Sequence, residues 1–244
     1  MAAPFSLADY DYAHRGLWAE HGAPENSLAA FDAAAEAGLG MEFDIRLSAD
    51  GIPVCFHDRT LDKMTGVNGA LADYTTEALG ALTLKGGSAE TIPTLEAVLA
   101  RWPHELPLLV EIKAMDIAPV PVAEATAAQL SNYAGRAAAM SFNKEAVATL
   151  PLDLPRGLLI EKIHKSSQAE FDATLEDALA LKVDYLSVWR DDVARAAPFA
   201  RAHGLGMVTW TVQTTEQSKA VAPHVDAQIF EGFAPTRIVR NKAE

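Results

Sequence analysis

Eight short apolar stretches, each followed by sequence with helical character, constrain the fold of this chain more than any other feature. Strands of a parallel sheet are buried on both faces, so they appear as apolar runs separated by helices. A further short strand is expected at residues 52–56, after the turn at Asp50-Gly51. The eight stretches are residues 11–13, 41–47, 106–113, 136–142, 156–161, 185–189, 206–212 and 227–230.

Eight strand–helix units in a chain of 244 residues favour a closed barrel over an open, doubly wound sheet. The predicted fold class is therefore α/β, a single (β/α)₈ TIM barrel. No linker, low-complexity tract or fixed-period repeat interrupts the alternation, so we predict one domain over residues 1–244. The last helix of this barrel is expected at residues 235–240.

The composition supports a large core and excludes several function classes. Half of the residues are hydrophobic (50%), and the formal net charge is −13. A chain this acidic is not expected to bind nucleic acid or anionic membranes, and an anionic substrate must meet local positive charge. No secretory signal or membrane span is recognisable, so we predict a cytoplasmic protein without stable membrane insertion. The single cysteine, Cys55, lies in an apolar run and is interpreted as a buried hydrophobe.

Two carboxylates interrupt the second predicted strand. Glu42 and Asp44 are two positions apart, and side chains alternate along a strand, so both acids point to the same face. Two acids on a packed face repel each other and resist desolvation unless a cation lies between them. The chain then turns at residues 49–51 and returns to His57-Asp58. This segment therefore offers a metal site with an imidazole one hairpin away.

Other predicted strands also end in polar or aromatic residues, at the rim where a barrel of this kind collects its catalytic groups. Three carboxylates without a cysteine ligand suit a hard cation such as Mg²⁺, Ca²⁺ or Mn²⁺. An arginine and a lysine beside them suit a phosphate group. In chain order the strand-end residues are His14, Arg15, Glu42, Asp44, Glu111, Lys113, Ser141, Glu161, Trp189 and Trp210.

Each of these residues also has a structural interpretation when it is taken alone. A histidine at a strand end is usually a hydrogen-bonded structural residue. Glu111 and Lys113 alone are equally well explained as a buried ion pair, and Trp189 and Trp210 as packing residues. The joint pattern favours a functional site, because packing does not explain so many polar groups at the strand ends of one sheet.

A set of short motifs follows the chain in a fixed order, and together they resemble the signature of the glycerophosphodiester phosphodiesterase family. The resemblance spans nearly the whole chain, and the combination is more specific than any single motif. The motifs are His14-Arg15-Gly16, Pro24-Glu25-Asn26-Ser27 with Phe31, Glu42-Phe43-Asp44, Asp50-Gly51, His57-Asp58, Leu61 with Thr65-Gly66, Ile92-Pro93-Thr94-Leu95-Glu96, Glu111-Ile112-Lys113, Ser141-Phe142 and Trp210-Thr211-Val212.

The resemblance implies a small-molecule substrate, a glycerophosphodiester that is hydrolysed to sn-glycerol 3-phosphate and an alcohol. It also implies one bound divalent cation, Mg²⁺ or Ca²⁺, with Mn²⁺ as a further candidate. Asn26 resembles the asparagine that orders the loop after the first strand. The implied site residues are His14 and His57 as the acid/base pair, Glu42, Asp44 and Glu111 as metal ligands, Arg15 and Lys113 as phosphate-binding cations, and Trp210 as an aromatic wall for the glycerol or head group.

The chain departs from the family pattern at its last strand. Relatives commonly have a Thr-Asp-Pro-like sequence there, whereas this chain has Phe230-Glu231-Gly232, whose role the sequence leaves open. The segment from Asp58 to Ile92 has no room for a large inserted cap, which favours the compact cytoplasmic type.

Three other functions are compatible with the sequence. The same site acting on lysophospholipids would be a lysophospholipase D, and a barrel without turnover would be a phosphate-ligand-binding protein. An unrelated metal-dependent barrel, such as an aldolase or isomerase, is the third. The physiological metal, the released alcohol, the division of labour between the two histidines and the oligomeric state stay open at this level.

Overall fold

The computed structural model describes residues 6–19, 22–86, 89–162 and 167–233. Its nine strands are β1 (Tyr12–His14), β2 (Gly40–Leu47), β3 (Pro53–Cys55), β4 (Leu108–Ile112), β5 (Ala137–Ser141), β6 (Arg156–Ile160), β7 (Tyr185–Trp189), β8 (Gly206–Val212) and β9 (Ala227–Phe230). The α-helices are α1 (Leu28–Glu36), α2 (Asp62–Thr65), α3 (Thr76–Gly80), α4 (Leu95–Arg101), α5 (Pro119–Leu130), α6 (Lys144–Thr149), α7 (Gln168–Ala180), α8 (Val193–His203) and α9 (Thr215–Val221).

The strands form one sheet in the order β1-β9-β8-β7-β6-β5-β4-β2-β3, and a further pairing of β1 with β2 closes it. The closed ring has eight parallel strands, while β3 adds to β2 as an antiparallel hairpin partner outside the ring. The predicted (β/α)₈ barrel is therefore confirmed, together with the short extra strand. One domain over residues 1–244 stays a prediction, and the helix expected at 235–240 lies outside the described residues.

Several helices begin at side-chain caps encoded in the sequence. The Ser27 side chain accepts a hydrogen bond from the backbone N–H of Ala30 at the start of α1, and Thr94 and Asn143 cap α4 and α6 in the same way. Each cap satisfies backbone donors that have no partner within the helix. Gly204 ends α8 in the left-handed conformation (φ 67°), which glycine adopts without steric cost. These local signals explain why the helix starts were readable from sequence.

Side chains of the barrel strands alternate between two cores. One set packs outward against the helices, for example Leu108, Val110 and Ile112 of β4. The other set fills the barrel interior and includes Tyr12, Leu109, Ala138, Leu159, Tyr185, Val208 and Ala227. Tyr185 lies across Gly157, where a Cβ would come within 2.3 Å of the ring, so only glycine leaves room for this side chain.

No helix in the described part of the chain is long and apolar enough to cross a membrane. The cytoplasmic location stays a prediction.

Candidate active site at the carboxyl ends of the strands

The interior face of β2 differs from that of the other strands. It presents Gly40, Glu42 and Asp44, and the apolar cluster inside the barrel takes no member from β2. Glu42 is in register with His14 of β1, and Asp44 with Glu111 of β4. Parallel pairing therefore places groups that are far apart in sequence on adjacent strands, at the same height near their carboxyl ends.

The three carboxylates Glu42, Asp44 and Glu111 form one cluster. One oxygen from each lies within 4.8 Å of the other two, and all three residues are buried. Among the described residues, Asp44 Oδ1 is buried without a hydrogen-bond partner. An all-oxygen donor set with an unsatisfied carboxylate oxygen suits a hard divalent cation. The predicted metal ligands are thus brought together, and their chemistry fits the group that was predicted.

Two cations lie against this acidic cluster. Arg15 Nε is 3.2 Å from Asp44 Oδ2, and Arg15 Nη1 donates to Glu25 at 2.9 Å. Lys113 Nζ donates to Glu111 at 2.6 Å and lies 3.5 Å from Asp44 Oδ1. Both side chains are mostly buried, so their charges act in a medium that screens them weakly. The two predicted phosphate-binding residues therefore border the predicted metal ligands.

The surroundings shift the pKa values of Glu42 and Asp44 in opposite directions. Burial, followed by the charges of Asp44 and Glu111, raises the pKa of Glu42 well above its ordinary value. Burial also acts to raise the pKa of Asp44, but Lys113 and Arg15 together outweigh it and hold that pKa below its usual range. The ionised form of Asp44 is therefore favoured, while burial and the neighbouring charges favour the protonated form of Glu42.

Asn26 ties the loop after β1 to the acidic cluster. Its Nδ2 donates to Asp44 Oδ2 at 3.0 Å, and its Oδ1 accepts from the Asp44 backbone N–H at 3.2 Å. Arg15 and Asn26 both have left-handed backbone conformations (φ 57°), and the Asn26 N–H donates to the Arg15 carbonyl. Non-glycine residues rarely adopt this conformation, so the surrounding contacts must hold the loop in place.

His14 is held by a carboxylate from the other end of the chain. Its Nδ1 lies 2.6 Å from Glu231 Oε2, and Gln213 Nε2 donates to the second Glu231 oxygen at 2.8 Å. Burial acts to raise the pKa of Glu231, but the hydrogen bond and charge of His14 lower it to about 2. Glu231 is thus ionised near neutral pH and presents a fixed acceptor to the His14 ring.

His57 is held by its neighbour in sequence. His57 Nδ1 lies 2.8 Å from Asp58 Oδ1, and Lys63 lies 3.6 Å from the second Asp58 oxygen. Burial lowers the pKa of His57, since its effect exceeds that of the nearby carboxylates. The neutral form of this imidazole is therefore favoured, which suits a proton acceptor.

Arg46 fixes the main chain that carries His57. Arg46 is on the same face of β2 as Glu42 and Asp44, and its Nε donates to the His57 carbonyl at 2.8 Å. Its Nη1 donates to both oxygens of Asp116, in the loop after β4, at 2.8 and 3.1 Å. The hairpin that bears His57 is therefore linked to two barrel strands.

Trp210 lies near the carboxyl end of β8, away from the β2–β3 hairpin that carries His57. Its Nε1 donates to the Ser187 carbonyl at 3.2 Å, and its ring meets those of Trp189 and Phe142 edge to face. It is partly buried, beside the apolar cluster inside the barrel. The structure places it at the rim in an aromatic cluster, where it packs against other rings, and its contact with a ligand stays a prediction.

Comparison with known proteins assigns the chain to a family. Residues 14–229 match the family described as the glycerophosphoryl diester phosphodiesterase family. The chain belongs to this family. Its named members are glycerophosphodiester phosphodiesterases, which are phosphoric diester hydrolases. The resemblance inferred from the motifs is thereby confirmed.

Curated relatives resemble part of the chain. The putative glycerophosphodiester phosphodiesterase YhdW of Bacillus subtilis is 43% identical over 112 residues, 43% of this chain and 44% of that protein. Human glycerophosphodiester phosphodiesterase 1 is 42% identical over 110 residues, 41% of this chain and 33% of that protein. The matched segments thus span less than half of these relatives.

Solved structures resemble the chain over most of its length. A phosphodiesterase of Oleispira antarctica, in complex with the product sn-glycerol-3-phosphate, has a TM-score of 0.77 at 25% identity, covering 91% of this chain and 93% of its own. A glycerophosphodiester phosphodiesterase of Thermotoga maritima has a TM-score of 0.75 at 25% identity, covering 93% of this chain and 95% of its own.

Sequence reasoning missed three residues that support the site. Glu231 was noted only as a departure from the family pattern, although an acid placed directly after the last strand is a signal for the rim. Arg46 continues the Glu42, Asp44 alternation on β2, and this spacing alone indicated its face. Asp116 gave no signal, because its partner Arg46 comes from a strand 70 residues away in sequence.

Proposed function

We propose that this protein is a metal-dependent glycerophosphodiester phosphodiesterase that releases sn-glycerol 3-phosphate and an alcohol. The observation that carries this proposal is the buried cluster of Glu42, Asp44 and Glu111, which His14 borders on one side and the His57 hairpin on the other. Family membership supports the reaction class, and the relative that binds sn-glycerol-3-phosphate supports the product.

Glu42, Asp44 and Glu111 would hold the divalent cation, with Mg²⁺ or Ca²⁺ favoured and Mn²⁺ a further candidate. Their carboxylate oxygens are the ligands that these hard cations prefer. When bound, such a cation offsets the negative charge of a phosphodiester and of the transition state that develops from it.

Arg15 and Lys113 would bind the non-bridging phosphate oxygens. The Arg15 guanidinium has five N–H donors, and its contacts with Glu25 through Nη1 and with Asp44 through Nε use fewer than all five. Asp44 and Glu111 keep Lys113 charged: burial acts to lower its pKa, but these two carboxylates raise it. Both cations therefore supply positive charge at the site, where the net charge of −13 would otherwise repel a phosphate group.

His14 and His57 would move the protons. One imidazole takes the proton of the attacking hydroxyl, which belongs to the substrate's own glycerol or to water, and the other protonates the departing alcohol oxygen. If the glycerol hydroxyl attacks, a cyclic phosphodiester forms and water then opens it, with the two histidines exchanging roles. Glu231 and Asp58 would orient the two rings through their hydrogen bonds to Nδ1.

The substrate proposed is a small molecule, and we propose no nucleic-acid partner, because the net charge of −13 opposes binding of polyanions without a basic face. Trp210 would form a wall of the substrate site at the rim. The lysophospholipase D and binding-protein functions serve as outcomes of the test below.

The test is the release of sn-glycerol 3-phosphate from glycerophosphoglycerol, glycerophosphocholine and glycerophosphoethanolamine, with Mg²⁺, Ca²⁺, Mn²⁺ or EDTA. We expect release with at least one cation and none in EDTA. Equal release in EDTA would overturn the metal dependence. No release with any cation, but cleavage of lysophospholipids, would establish lysophospholipase D activity instead. Folded protein that cleaves neither would be a binding protein.

A further inference from the structure

Three aromatic side chains form what we call the rim aromatic cluster: Phe142, Trp189 and Trp210. The ring centroids of Phe142 and Trp210 are 5.4 Å apart, and those of Trp189 and Trp210 are 5.1 Å apart, both edge to face. Trp210 is three residues before Gln213, which binds the Glu231 that holds His14. The strand that carries Trp210 therefore also leads to the residue that supports His14, and both lie at the carboxyl end of β8.

Aromatic rings arranged in this way attract cations, and a quaternary ammonium ion is a typical ligand of such clusters. Here the position is already taken by a residue of the chain itself. Lys162 Nζ lies 3.6 Å from the Trp189 centroid and 5.6 Å from the Trp210 centroid. Lys162 directly follows Glu161, just beyond the carboxyl end of β6.

A second cation covers Trp189 as well. Arg190 Cζ lies 3.9 Å from the same centroid, and its Nη1 donates to the Thr211 carbonyl at 2.8 Å. Two cations therefore lie within 4 Å of the centre of this indole ring. A cationic head group would have to displace Lys162 and would still meet the charge of Arg190.

Carboxylates complete the surroundings of the cluster. Asp191 Oδ2 accepts from Trp189 Nε1 at 3.0 Å, and Glu161 Oε1 accepts from the Lys162 backbone N–H at 3.0 Å. Charged donors and acceptors thus alternate around apolar ring surfaces. This pattern matches an uncharged polyol, whose hydroxyl groups both donate and accept while its C–H groups pack on aromatic rings.

We infer that Lys162 makes the rim aromatic cluster a head-group subsite that takes a polyol alcohol, such as a glycerol or inositol group, and rejects a quaternary ammonium. This inference rests on the proposed function, because it names the alcohol that the reaction releases. Lys162 acts as a specificity residue here, since its ammonium group both donates to a hydroxyl and occupies the position that a choline group needs.

The test compares glycerophosphoglycerol, glycerophosphoinositol and glycerophosphocholine as substrates of the wild type, Lys162→Met and Lys219→Met. Lys219 is an exposed residue in the last turn of α9 and provides a charge-matched control. The wild type should prefer both polyol diesters. Lys162→Met should raise kcat/KM for glycerophosphocholine roughly tenfold, as expected for a released cation–π position, and lower it for the polyol diesters. Lys219→Met should leave the ratios unchanged.

Two results would overturn the inference. One is a wild-type preference for glycerophosphocholine. The other is a parallel change of all three substrates in Lys162→Met, which would place Lys162 against the glycerol half that they share.

A binding measurement separates failure of this inference from failure of the proposed function. In EDTA, titration of tryptophan fluorescence with the same diesters follows binding without turnover, and two of the four tryptophans, Trp189 and Trp210, belong to the cluster. Wild-type protein should respond to glycerophosphoglycerol at lower concentration than to glycerophosphocholine, and Lys162→Met should reverse this order. That result in a protein without hydrolase activity would refute the proposed function alone. An unchanged order in an active enzyme would refute the subsite alone.

Discussion

The barrel interior has two layers that differ in the polarity of their side chains. The apolar layer consists of Tyr12, Leu109, Ala138, Leu159, Tyr185, Val208 and Ala227. The charged layer, at the mouth, consists of His14, Glu42, Asp44, Glu111, Lys113 and Glu231. In the apolar layer, side chains are almost fully buried and contact one another. In the charged layer, like charges are crowded at the mouth, and Arg15 and Lys113 compensate them through ion pairs with Asp44 and Glu111.

The two layers are joined by single steps of two residues along the same strands. Tyr12 leads to His14 on β1, and Leu109 leads to Glu111 on β4. One backbone geometry thus supports both, and the choice of side chain decides whether a level stabilises the fold or serves chemistry. Substitutions in the charged layer should therefore remove activity while the fold persists, and substitutions in the apolar layer should do the reverse.

The largest expected effect lies in and beside the charged layer. Replacing His14 or His57 with alanine should lower kcat by roughly a hundredfold to ten-thousandfold, because a proton-transfer group is lost. Steady-state kinetics with the best diester and metal would measure this, and the melting temperature should stay close to that of the wild type. His203→Ala, on the outer helix α8, is the matched control. Near-normal turnover in either folded variant would refute its assigned role.

The matching change in the apolar layer is Tyr185→Ala. Tyr185 is 1% exposed, so its removal leaves a cavity and should lower the free energy of unfolding by about 3–5 kcal/mol. Urea unfolding would measure the loss. Tyr185→Phe removes only the hydrogen bond to the Ala139 carbonyl and should cost about 1 kcal/mol. A drop in kcat of folded Tyr185→Ala as large as that of the histidine variants would break the comparison between the layers.

An intermediate effect is expected for Glu231→Gln. The hydrogen bond to His14 loses its charge, and hydrogen bonds to charged groups contribute about 1.5–3 kcal/mol, so kcat should fall roughly tenfold to a hundredfold. The value of KM should change little, since Glu231 acts through His14 and not through the substrate. Asp58→Asn makes the same change at His57. If KM rises while kcat is kept, Glu231 contacts the substrate instead.

The smallest effect concerns the stability of the metal-free protein. Because the folded protein raises the pKa of Glu42, mainly by burial, the protonated form is favoured by folding. The stability that this contributes is present below the unfolded pKa of about 4.3 and is lost as pH rises through the folded pKa. In EDTA at pH 8, Glu42→Gln should therefore melt above the wild type, and the two should converge near pH 4.

Adding Mg²⁺ or Ca²⁺ at pH 8 should reverse the order of these melting temperatures, because only the wild type keeps all three carboxylates. Calorimetric scans with and without the cation would show it. Equal melting of the two proteins at every pH would mean that Glu42 is not crowded in the way that the structure indicates.

Most of the barrel was predictable because its signals are local. Apolar runs mark strands such as β4, caps such as Ser27 mark helix starts, and the spacing of Glu42 and Asp44 gives their common face. A closed ring was also predicted, from the number of strand–helix units, and the short strand β3 was predicted from the turn at Asp50-Gly51. The catalytic, metal and phosphate-binding roles of the predicted residues stay predictions, although the barrel brings His14, Arg15, Glu42, Asp44, Glu111 and Lys113 together.

The sequence by itself determined the fold class and the residues at the strand ends, because alternation along a strand and periodicity along a helix depend only on near neighbours. Tertiary structure decided the partners of those residues. Glu231 meets His14 across 217 positions of the chain, and Lys162 meets Trp189 from another strand end. Such contacts depend on ring closure and strand register, which place side chains together only once the whole barrel has formed.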